Sequence, residues 1–569
     1  MALICCPLTV HDVERSLGEA AMAREMGADL VEYRVDELFS GGGGGDGAAS
    51  LEDEIAAVVD LVSRSPVACI ATCRPTWEGG AYDGPEDARV SLFEALGTLT
   101  PPRGHPPRYI DVELAAYEKS ANVRQKVHLA VDHPERGRSM SPSLILSIHD
   151  FQGRPADFSR RVLAAQRQEA CRVVKVAYRA RSLRDNLELF DVLAARERPT
   201  IALGMGEFGL MSRVLAGKFG GFLTFASLRK AEVTAPGQPT IRELLDTYRF
   251  RSIGSGTRVY GVVGWPVGHS MSPAIHNAGF EAVGHDGVYV PLPIAAGEDP
   301  EATYVSFKAT MRSLMEHEGL GFSGCSVTLP HKESLARLAG EMAGRGGVRV
   351  DDEVRLCGAG NTLVREEAGA GGAGWRVMNT DASAARSCLE EALGSLEGKR
   401  IVVLGAGGVG RTIAAACVAA GAEVRLLARD AGKAEAVARE LRARLEALER
   451  RGVRLASGAM GDGVGAGVDA VVNATPVGMV GGPAPNESVV DVAAVGRASP
   501  GAVVFDTVYN PAQTPMLKAA REAGLGTIDG MRMFVRQAAL QFEAWTGRGA
   551  PVELFERVVR GRLAGVSNE

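Results

Sequence analysis

A chain of 569 residues exceeds what a single hydrophobic core organises, so two or more domains are expected. Its 46% hydrophobic and 23% charged content is that of an ordinary globular protein. A formal charge of −6 with no Lys/Arg-rich block argues against nucleic-acid binding, and no apolar run reaches transmembrane length.

The opening MALICCPLTV lacks a basic n-region and a small-residue cleavage site, and it is not Arg/Ser-rich. It predicts a protein that works where it is made, in the cytoplasm, or one whose leading segment has been removed. Nine scattered cysteines, with no C-x-x-C pair and no adjacent histidine cluster, predict free thiols and no metal site.

In chain order, eight apolar runs follow: LICCPL, DLVEYRVD, VACIATCR, RYIDVEL, SLILSIHD, RVVKVAY, PTIALGMG and GFLTFAS. Each precedes a connection of helix length, which predicts an α/β fold that begins with a (β/α)₈ barrel over residues 1–250. GGGGGDGAAS at 41–50 reads as a flexible loop insertion. RSIGSGT reads as a linker, with a boundary near residue 254. A second α/β region spans 257–380, and KRIVVLGAGGVGRT lies in a dinucleotide-binding unit spanning 381–529.

The sixth run, CRVVKVAY, holds Lys175 among β-branched residues. Burial disfavours an ammonium and favours the neutral amine, the form that attacks a carbonyl to make a Schiff base. The alternative is a strand-end lysine that snorkels to solvent. His149 closes the preceding run at what reads as the matching position, and a histidine beside an imine-forming lysine can move protons near neutral pH. Glu32 and Arg34 alternate on one strand face, Arg74 and Glu78 follow the third run, and Arg213 offers a fork for a carboxylate. Singly each reads as a surface ion-pair partner; together they converge on the catalytic face of a barrel.

EYRVDE, TCRPTWEGG, SIHDF, VVKVA and TAPGQP together resemble type I 3-dehydroquinate dehydratase over residues 1–245. The resemblance implies that Lys175 forms an imine with the substrate ketone, that His149 shuttles protons, and that Glu78 holds His149. It further implies substrate contacts from Glu32, Arg34, Arg74, Arg213, Thr234 and Gln238, with Met205 packing nearby.

In the second half, VVLGAGGVGRTIAAAC carries G-x-G-x-x-G between a strand pattern and a helix pattern. Gly405 makes the tight turn, Gly407 lets a pyrophosphate approach, and Gly410 lets helix and strand pack. Ala406, Gly408 and Val409 complete the loop, and the helix N-terminus faces the phosphates. An NAD site usually ends its next strand in a carboxylate. Here Ala428 and Arg429 stand there, with Lys433 a turn on, so NADP is favoured, and Asp430 reads as a helix cap.

Ser270 and Ser272 precede a helix and suit a carboxylate, while Thr328 and Lys332, Asn361 and Thr362, and Thr380 and Asp381 sit in turns that suit a polyol. With NATPVGM, FDTVYNP and GMRMFVRQAALQF, this set resembles shikimate dehydrogenase over residues 257–548. The resemblance implies an acid–base dyad of Lys332 and Asp381, carboxylate contacts from Ser270, Ser272 and Tyr509, and ring-hydroxyl contacts from Thr328, Asn361, Thr362, Gln537 and Gln541, with Thr380 in the pocket. It places Asn473, Thr475 and Met479 at the coenzyme and has the helices of 530–569 complete the substrate-binding domain. Met271, Cys325 and Ala428 depart from that pattern.

Together the halves resemble the bifunctional lyase and oxidoreductase of aromatic amino-acid biosynthesis in plants. That likeness implies consecutive steps of the shikimate pathway: 3-dehydroquinate to 3-dehydroshikimate, then to shikimate with NADP. It also implies small-molecule partners alone, with neither nucleic acid nor membrane, and a monomer. A quinate/shikimate dehydrogenase with a vestigial or regulatory barrel is the alternative.

Overall fold

The computed structural model describes residues 1–41, 50–100, 104–132, 141–230, 237–344, 347–366, 374–449 and 452–566, excepting the side chains of 564–566. Most of the glycine-rich stretch, and Thr234, lie outside the described residues. Backbone contacts divide the chain into two compact units. One is Met1–Thr257 with Val290–Pro293 and His317–Gly321; the other is Arg258–Tyr289, Ile294–Glu316 and Phe322–Glu569.

All eight apolar runs of the first half form strands: β1 Leu3–Thr9, β2 Leu30–Arg34, β3 Cys69–Thr72, β4 Tyr109–Glu113, β5 Ser143–Asp150, β6 Cys171–Arg179, β7 Thr200–Met205 and β8 Leu223–Phe225. They pair in the order β7-β6-β5-β4-β3-β2-β1-β8. Phe222 N donates to Thr200 O at 2.8 Å, which links the two remaining edges, so the sheet is a nearly closed parallel barrel.

Strand alternation then stacks the interior in layers. Leu30, Ile70, Ile145, Val173, Ile201 and Leu223 form an apolar floor. Two residues further along their strands stand Glu32, Thr72, Ser147, Lys175, Leu203 and Phe225. The next step up brings Arg34, His149, Ala177 and Met205 to the mouth. Lys175 therefore sits one side-chain layer above the floor.

In the rest of the chain, a mixed sheet comprises β9 Arg258–Gly264, β10 Gly287–Pro293, β11 Phe322–Val327, β12 Val348–Val350, β13 Thr362–Arg365 and β14 Trp375–Met378. Its order is β10-β9-β11-β13-β14-β12, with β13 antiparallel to both neighbours. The third sheet holds β15 Arg400–Leu404, β16 Glu423–Ala428, β17 Arg454–Ala459, β18 Ala470–Asn473, β19 Val503–Asp506 and β20 Gly526–Ile528. It is parallel throughout, in the order β17-β16-β15-β18-β19-β20. That is the doubly wound 3-2-1-4-5-6 arrangement, whose strand order reverses between β15 and β18. The helix Gly530–Thr546 lays Val535, Ala538, Phe542 and Trp545 into the core of the mixed sheet.

No helix among the described residues is long and apolar enough to cross a membrane. All nine cysteines are buried free thiols.

Candidate active sites

At the barrel mouth, Glu32, Arg34, Arg74, Glu78, His149, Lys175, Met205, Arg213 and Gln238 line one cavity. Lys175 is 5% exposed, and its Nζ donates to Glu32 Oε1 at 3.0 Å and Asp111 Oδ2 at 2.8 Å. Nζ also lies 4.7 Å from the centroid of the Phe225 ring. The buried amine is therefore paired, with two carboxylates facing its Nζ.

The inter-strand register corrects one expectation. Ser147, not His149, lies opposite Lys175; His149 lies opposite Ala177, one layer nearer the mouth. The stagger sets the imidazole one layer above the amine, on the wall of the same cavity.

Arg74 organises the anions around this pair. Its Nη1 donates to Glu113 Oε1 at 2.6 Å and Ser147 Oγ at 2.7 Å, and its Nη2 lies 2.8 Å from Asp111 Oδ1. Arg89, fully buried, donates to Cys73 O at 3.0 Å and pairs with the other oxygen of Glu113. Burial raises the proton affinity of Asp111, but the cations of Arg74 and Lys175 outweigh it and hold the carboxyl well below its ordinary range.

Glu78 ends the short 3₁₀ turn Thr76–Glu78, and its Oε2 meets His149 Nδ1 at 3.0 Å. Burial pushes Glu78 up to about 8, partly offset by Arg74. Burial, together with Arg74 and Lys175, holds His149 well below its ordinary value, so the imidazole is neutral in the neutral range. Arg213 is 2% exposed, makes no ion pair among the described residues and leaves Nε without a hydrogen bond. Burial lowers it to about 10, so it stays cationic at neutral pH and is suited to an incoming anion. Arg34 is held bidentately by Asp36, at 2.9 Å on both contacts.

A second cavity is lined by Ser270, Ser272, Ser326, Thr328, Lys332, Asn361, Asp381, Val409, Met479, Tyr509, Gln537 and Gln541, among others. Lys332, first in the helix Lys332–Ala343, donates to Asp381 Oδ2 at 2.6 Å. Asp381 lies in the first turn of the helix Thr380–Leu393, whose cap is the Asn379 side chain. Ser270 Oγ accepts from Ser272 N at 3.2 Å, which shapes the entry to the helix Ser272–Ala282.

Thr362 and Thr380 are buried directly behind two residues of the cavity wall, Asn361 and Gln541. Asn361 Oδ1 accepts from Thr380 N at 2.8 Å and from Thr362 Oγ1 at 2.8 Å, and Gln541 Nε2 donates to Thr362 Oγ1 at 3.0 Å. Through these contacts, and the Asn361 Nδ2 bond to Thr380 Oγ1 at 3.0 Å, the two threonines brace Asn361 and Gln541. Tyr509 stacks on Phe534 at 4.6 Å, and burial raises it, so its hydroxyl stays protonated.

The glycine turn fits a dinucleotide. Gly405 has φ +111, and a Cβ there would meet Ala474 O at 2.8 Å; a Cβ at Gly410 would lie 1.8 Å from Gly405 O. At Gly407 and Gly408 a Cβ would meet nothing within 4 Å, leaving open space at the N-terminus of the helix Gly408–Ala419. Arg429 and Lys433 are exposed and make no ion pair among the described residues, whereas Asp430 caps its helix by accepting from Lys433 N at 3.2 Å. Cations without carboxylate partners at the end of β16 suit a 2′-phosphate. Asn473 is turned inward: its Oδ1 accepts from Thr475 N at 2.9 Å and its Nδ2 donates to Asp506 Oδ1 at 2.9 Å, so it builds the turn beside the site.

The structure adds Asp111, Glu113, Ser147 and Arg89 to the barrel site, and Ser326 to the second cavity, none of them singled out above from the sequence. Ser326 Oγ hydrogen-bonds to the hydroxyl of buried Tyr289. For Asp111 and Glu113 a signal existed: RYIDVEL sets two carboxylates at alternate positions of an apolar strand.

The fold and these constellations define a two-catalyst chain, a lysine-centred barrel fused to a dinucleotide-dependent dehydrogenase. Residues 4–255 match the family model of type I 3-dehydroquinase, and residues 262–363 that of the shikimate dehydrogenase substrate binding domain. Residues 530–560 match the shikimate 5′-dehydrogenase C-terminal domain, and 400–462 the 3-hydroxyacyl-CoA dehydrogenase NAD binding domain. The chain is 34% identical over 572 residues to the chloroplastic bifunctional 3-dehydroquinate dehydratase/shikimate dehydrogenase of Arabidopsis thaliana, covering 98% of this chain and 84% of that one. It is 36% identical over 305 residues to shikimate dehydrogenase (NADP(+)) of Methanocella arvoryzae, covering 54% of this chain and 99% of that one. Among solved structures, shikimate 5-dehydrogenase from Thermus thermophilus with NADP(H) and shikimate shares 29% identity at a TM-score of 0.42, over 54% of this chain and 100% of that one. The chain belongs to the family of bifunctional 3-dehydroquinate dehydratase/shikimate dehydrogenases.

Proposed function

We infer that the chain dehydrates 3-dehydroquinate to 3-dehydroshikimate in the barrel, assigned to residues 1–250, and reduces that ketone to shikimate with NADPH in the remainder. We assign residues 257–380, completed by the helices of 530–569, to substrate binding and 381–529 to the coenzyme. The observation that carries the reading is that each half holds its own acid–base set. Lys175, His149 and Glu78 share one cavity with an anion-seeking Arg213, and Lys332 and Asp381 pair in another.

In the barrel, the Lys175 ammonium and the substrate ketone combine to an iminium and one water, with no net change in protons or charge. The iminium acidifies the adjacent C–H. His149 takes that proton and returns it to the departing hydroxyl, with Glu78 fixing the ring through Nδ1; hydrolysis of the product iminium then takes up one water and restores Lys175, so the net loss is one water. Arg213, with Gln238 and Arg34 around it, receives the substrate and its carboxylate.

In the second site, NADP supplies the hydride when bound. Gly405, Gly407 and the helix start at Gly408 would hold its pyrophosphate, and Arg429 and Lys433 its 2′-phosphate. Ser270, Ser272 and Tyr509 hold the substrate carboxylate, while Thr328, Asn361, Gln537 and Gln541 read the ring hydroxyls. Lys332 donates the proton at the ketone oxygen, and Asp381 keeps its Nζ in place.

The test is a linked assay on the purified chain. Feeding 3-dehydroquinate with NADPH is expected to consume the nicotinamide absorbance; an unchanged signal would overturn the two-step reading. A higher kcat/KM for quinate than for shikimate with NADP⁺ would reassign the second site. Two further expectations belong to the same reading: a monomer, checked by light scattering, and a plastid location like that in the Arabidopsis relative's name, checked by cell fractionation.

A further inference from the structure

The ammonium of Lys175 has three N–H bonds, of which Glu32 and Asp111 take two, at 3.0 and 2.8 Å. Imine formation changes that count. R–NH₃⁺ and O=C give R–NH⁺=C and water: the charge stays on nitrogen, but a single N–H survives. One carboxylate must let go, and the structure distinguishes the two.

Glu32 faces the cavity, and its other partner is the neutral hydroxyl of Thr72, which donates to Oε1 at 2.8 Å. Asp111 is fully buried, and the Arg74 guanidinium flanks its second oxygen at 2.8 Å. Arg74 is itself anchored by Glu113 and Ser147, and Glu113 by Arg89. Asp111 thus cannot swing away without breaking a buried ion pair, whereas Glu32 can turn to a substrate hydroxyl. The remaining anions are committed elsewhere: Glu113 lies between two arginines and Glu78 against His149.

Resting on the imine reading above, we propose that Asp111 is a catalytic residue, the counter-ion that keeps the one N–H of the iminium while Glu32 is released to the substrate. It contacts the reacting nitrogen directly and stays anionic through the cycle.

The test compares Asp111→Asn with Glu32→Gln in the full chain. Shikimate oxidation by the same molecules serves as the internal control, and borohydride with 3-dehydroshikimate traps the adduct on Lys175 for intact-mass measurement. Asp111→Asn is expected to lower dehydration kcat by about 10²-fold or more, leave KM nearly unchanged, and reduce the trapped fraction at saturation. Glu32→Gln is expected to act mainly on KM and to trap like the parent. Equal kcat in Asp111→Asn and parent, or a larger kcat loss in Glu32→Gln, overturns the proposal. Should Asp111→Asn not fold, crystals of the parent chain soaked with 3-dehydroshikimate decide: the imine nitrogen within about 3.2 Å of Asp111 supports it, and hydrogen-bonded to Glu32 instead sinks it. A parent chain that traps no adduct condemns the imine reading itself, an outcome separate from failure of Asp111 alone.

Discussion

The barrel site and the dehydrogenase site solve opposite electrostatic problems. Around Lys175 the protein buries Arg74, Arg89 and Arg213 with Glu32, Asp111, Glu113 and Glu78, nearly all of them cross-linked. Around the second cavity it sets hydroxyls and amides about one ion pair, Lys332 with Asp381. Buried ion pairs are a poor route to stability; removing one partner costs about 3–5 kcal/mol, while apolar replacements of the whole set are often neutral. Their density in the barrel therefore points to chemistry. A covalent mechanism parks a positive charge on the protein, and anions fixed beforehand stabilise it without reorganising. The dehydrogenase takes its electrons from a cofactor, parks no charge on the protein, and need only recognise a hydroxylated ring and handle one proton.

If that contrast holds, each site fails alone. Lys175→Ala is expected to lower dehydration on the order of 10⁴-fold or more while shikimate oxidation proceeds unchanged. Loss of both activities with the fold intact by circular dichroism would break the separation. The converse is smaller, because Lys332 survives it: Asp381→Asn should reduce kcat for shikimate oxidation by about 10²-fold, with dehydration unaffected. An unchanged kcat would remove Asp381 from the dyad.

The contrast extends to pH. With Glu78 pushed up to about 8, its carboxyl donates to His149 Nδ1 below that pH, and the imidazole proton then resides on Nε2. Above it, the carboxylate accepts from Nδ1–H and leaves Nε2 free to act as base. Dehydration kcat/KM should thus climb with pH through about 8 and then level off. Glu78→Gln should erase that limb and lower the plateau by about 10-fold or more. A limb that persists in Glu78→Gln belongs to another group. The shikimate profile should not move in this variant.

The strands of the barrel were readable because each is a short apolar run bounded by polar connections, and Lys175 stood out because an ammonium interrupts one of them. Asp111 and Glu113 interrupt β4 in the same way, at alternate positions, yet two acidic residues in a strand also describe a solvated face. Arg89 carries no such mark, because an arginine on a helix is ordinarily solvated; only the packing of Glu86–Gly97 shows its guanidinium fully buried. The height of His149 above Lys175 depends on the stagger between neighbouring strands, a property of barrel closure rather than of either strand. In the second half, the turn motifs marked Asn361, Thr362 and Thr380 as functional. Which of their polar atoms face the cavity, and which brace a neighbour, depends on how β13 meets the helix Thr380–Leu393.

The coenzyme end of the dehydrogenase supplies the mildest test, and one that separates recognition from chemistry. Arg429 and Lys433 stand exposed near the end of β16, so neither braces the fold, and a substitution there should leave stability within about 0.5 kcal/mol. If they hold a 2′-phosphate, Arg429→Ala should raise KM for NADPH by about 10-fold, the scale of one charge-assisted hydrogen bond. KM for NADH, which lacks that phosphate, should stay the same, and kcat with either should change little because the hydride and Lys332 are untouched. Equal loss with both coenzymes would mean that Arg429 shapes the loop rather than reads the phosphate. The barrel offers no comparable substitution among Arg74, Arg89 and Arg213, since each of these cations is enclosed by protein.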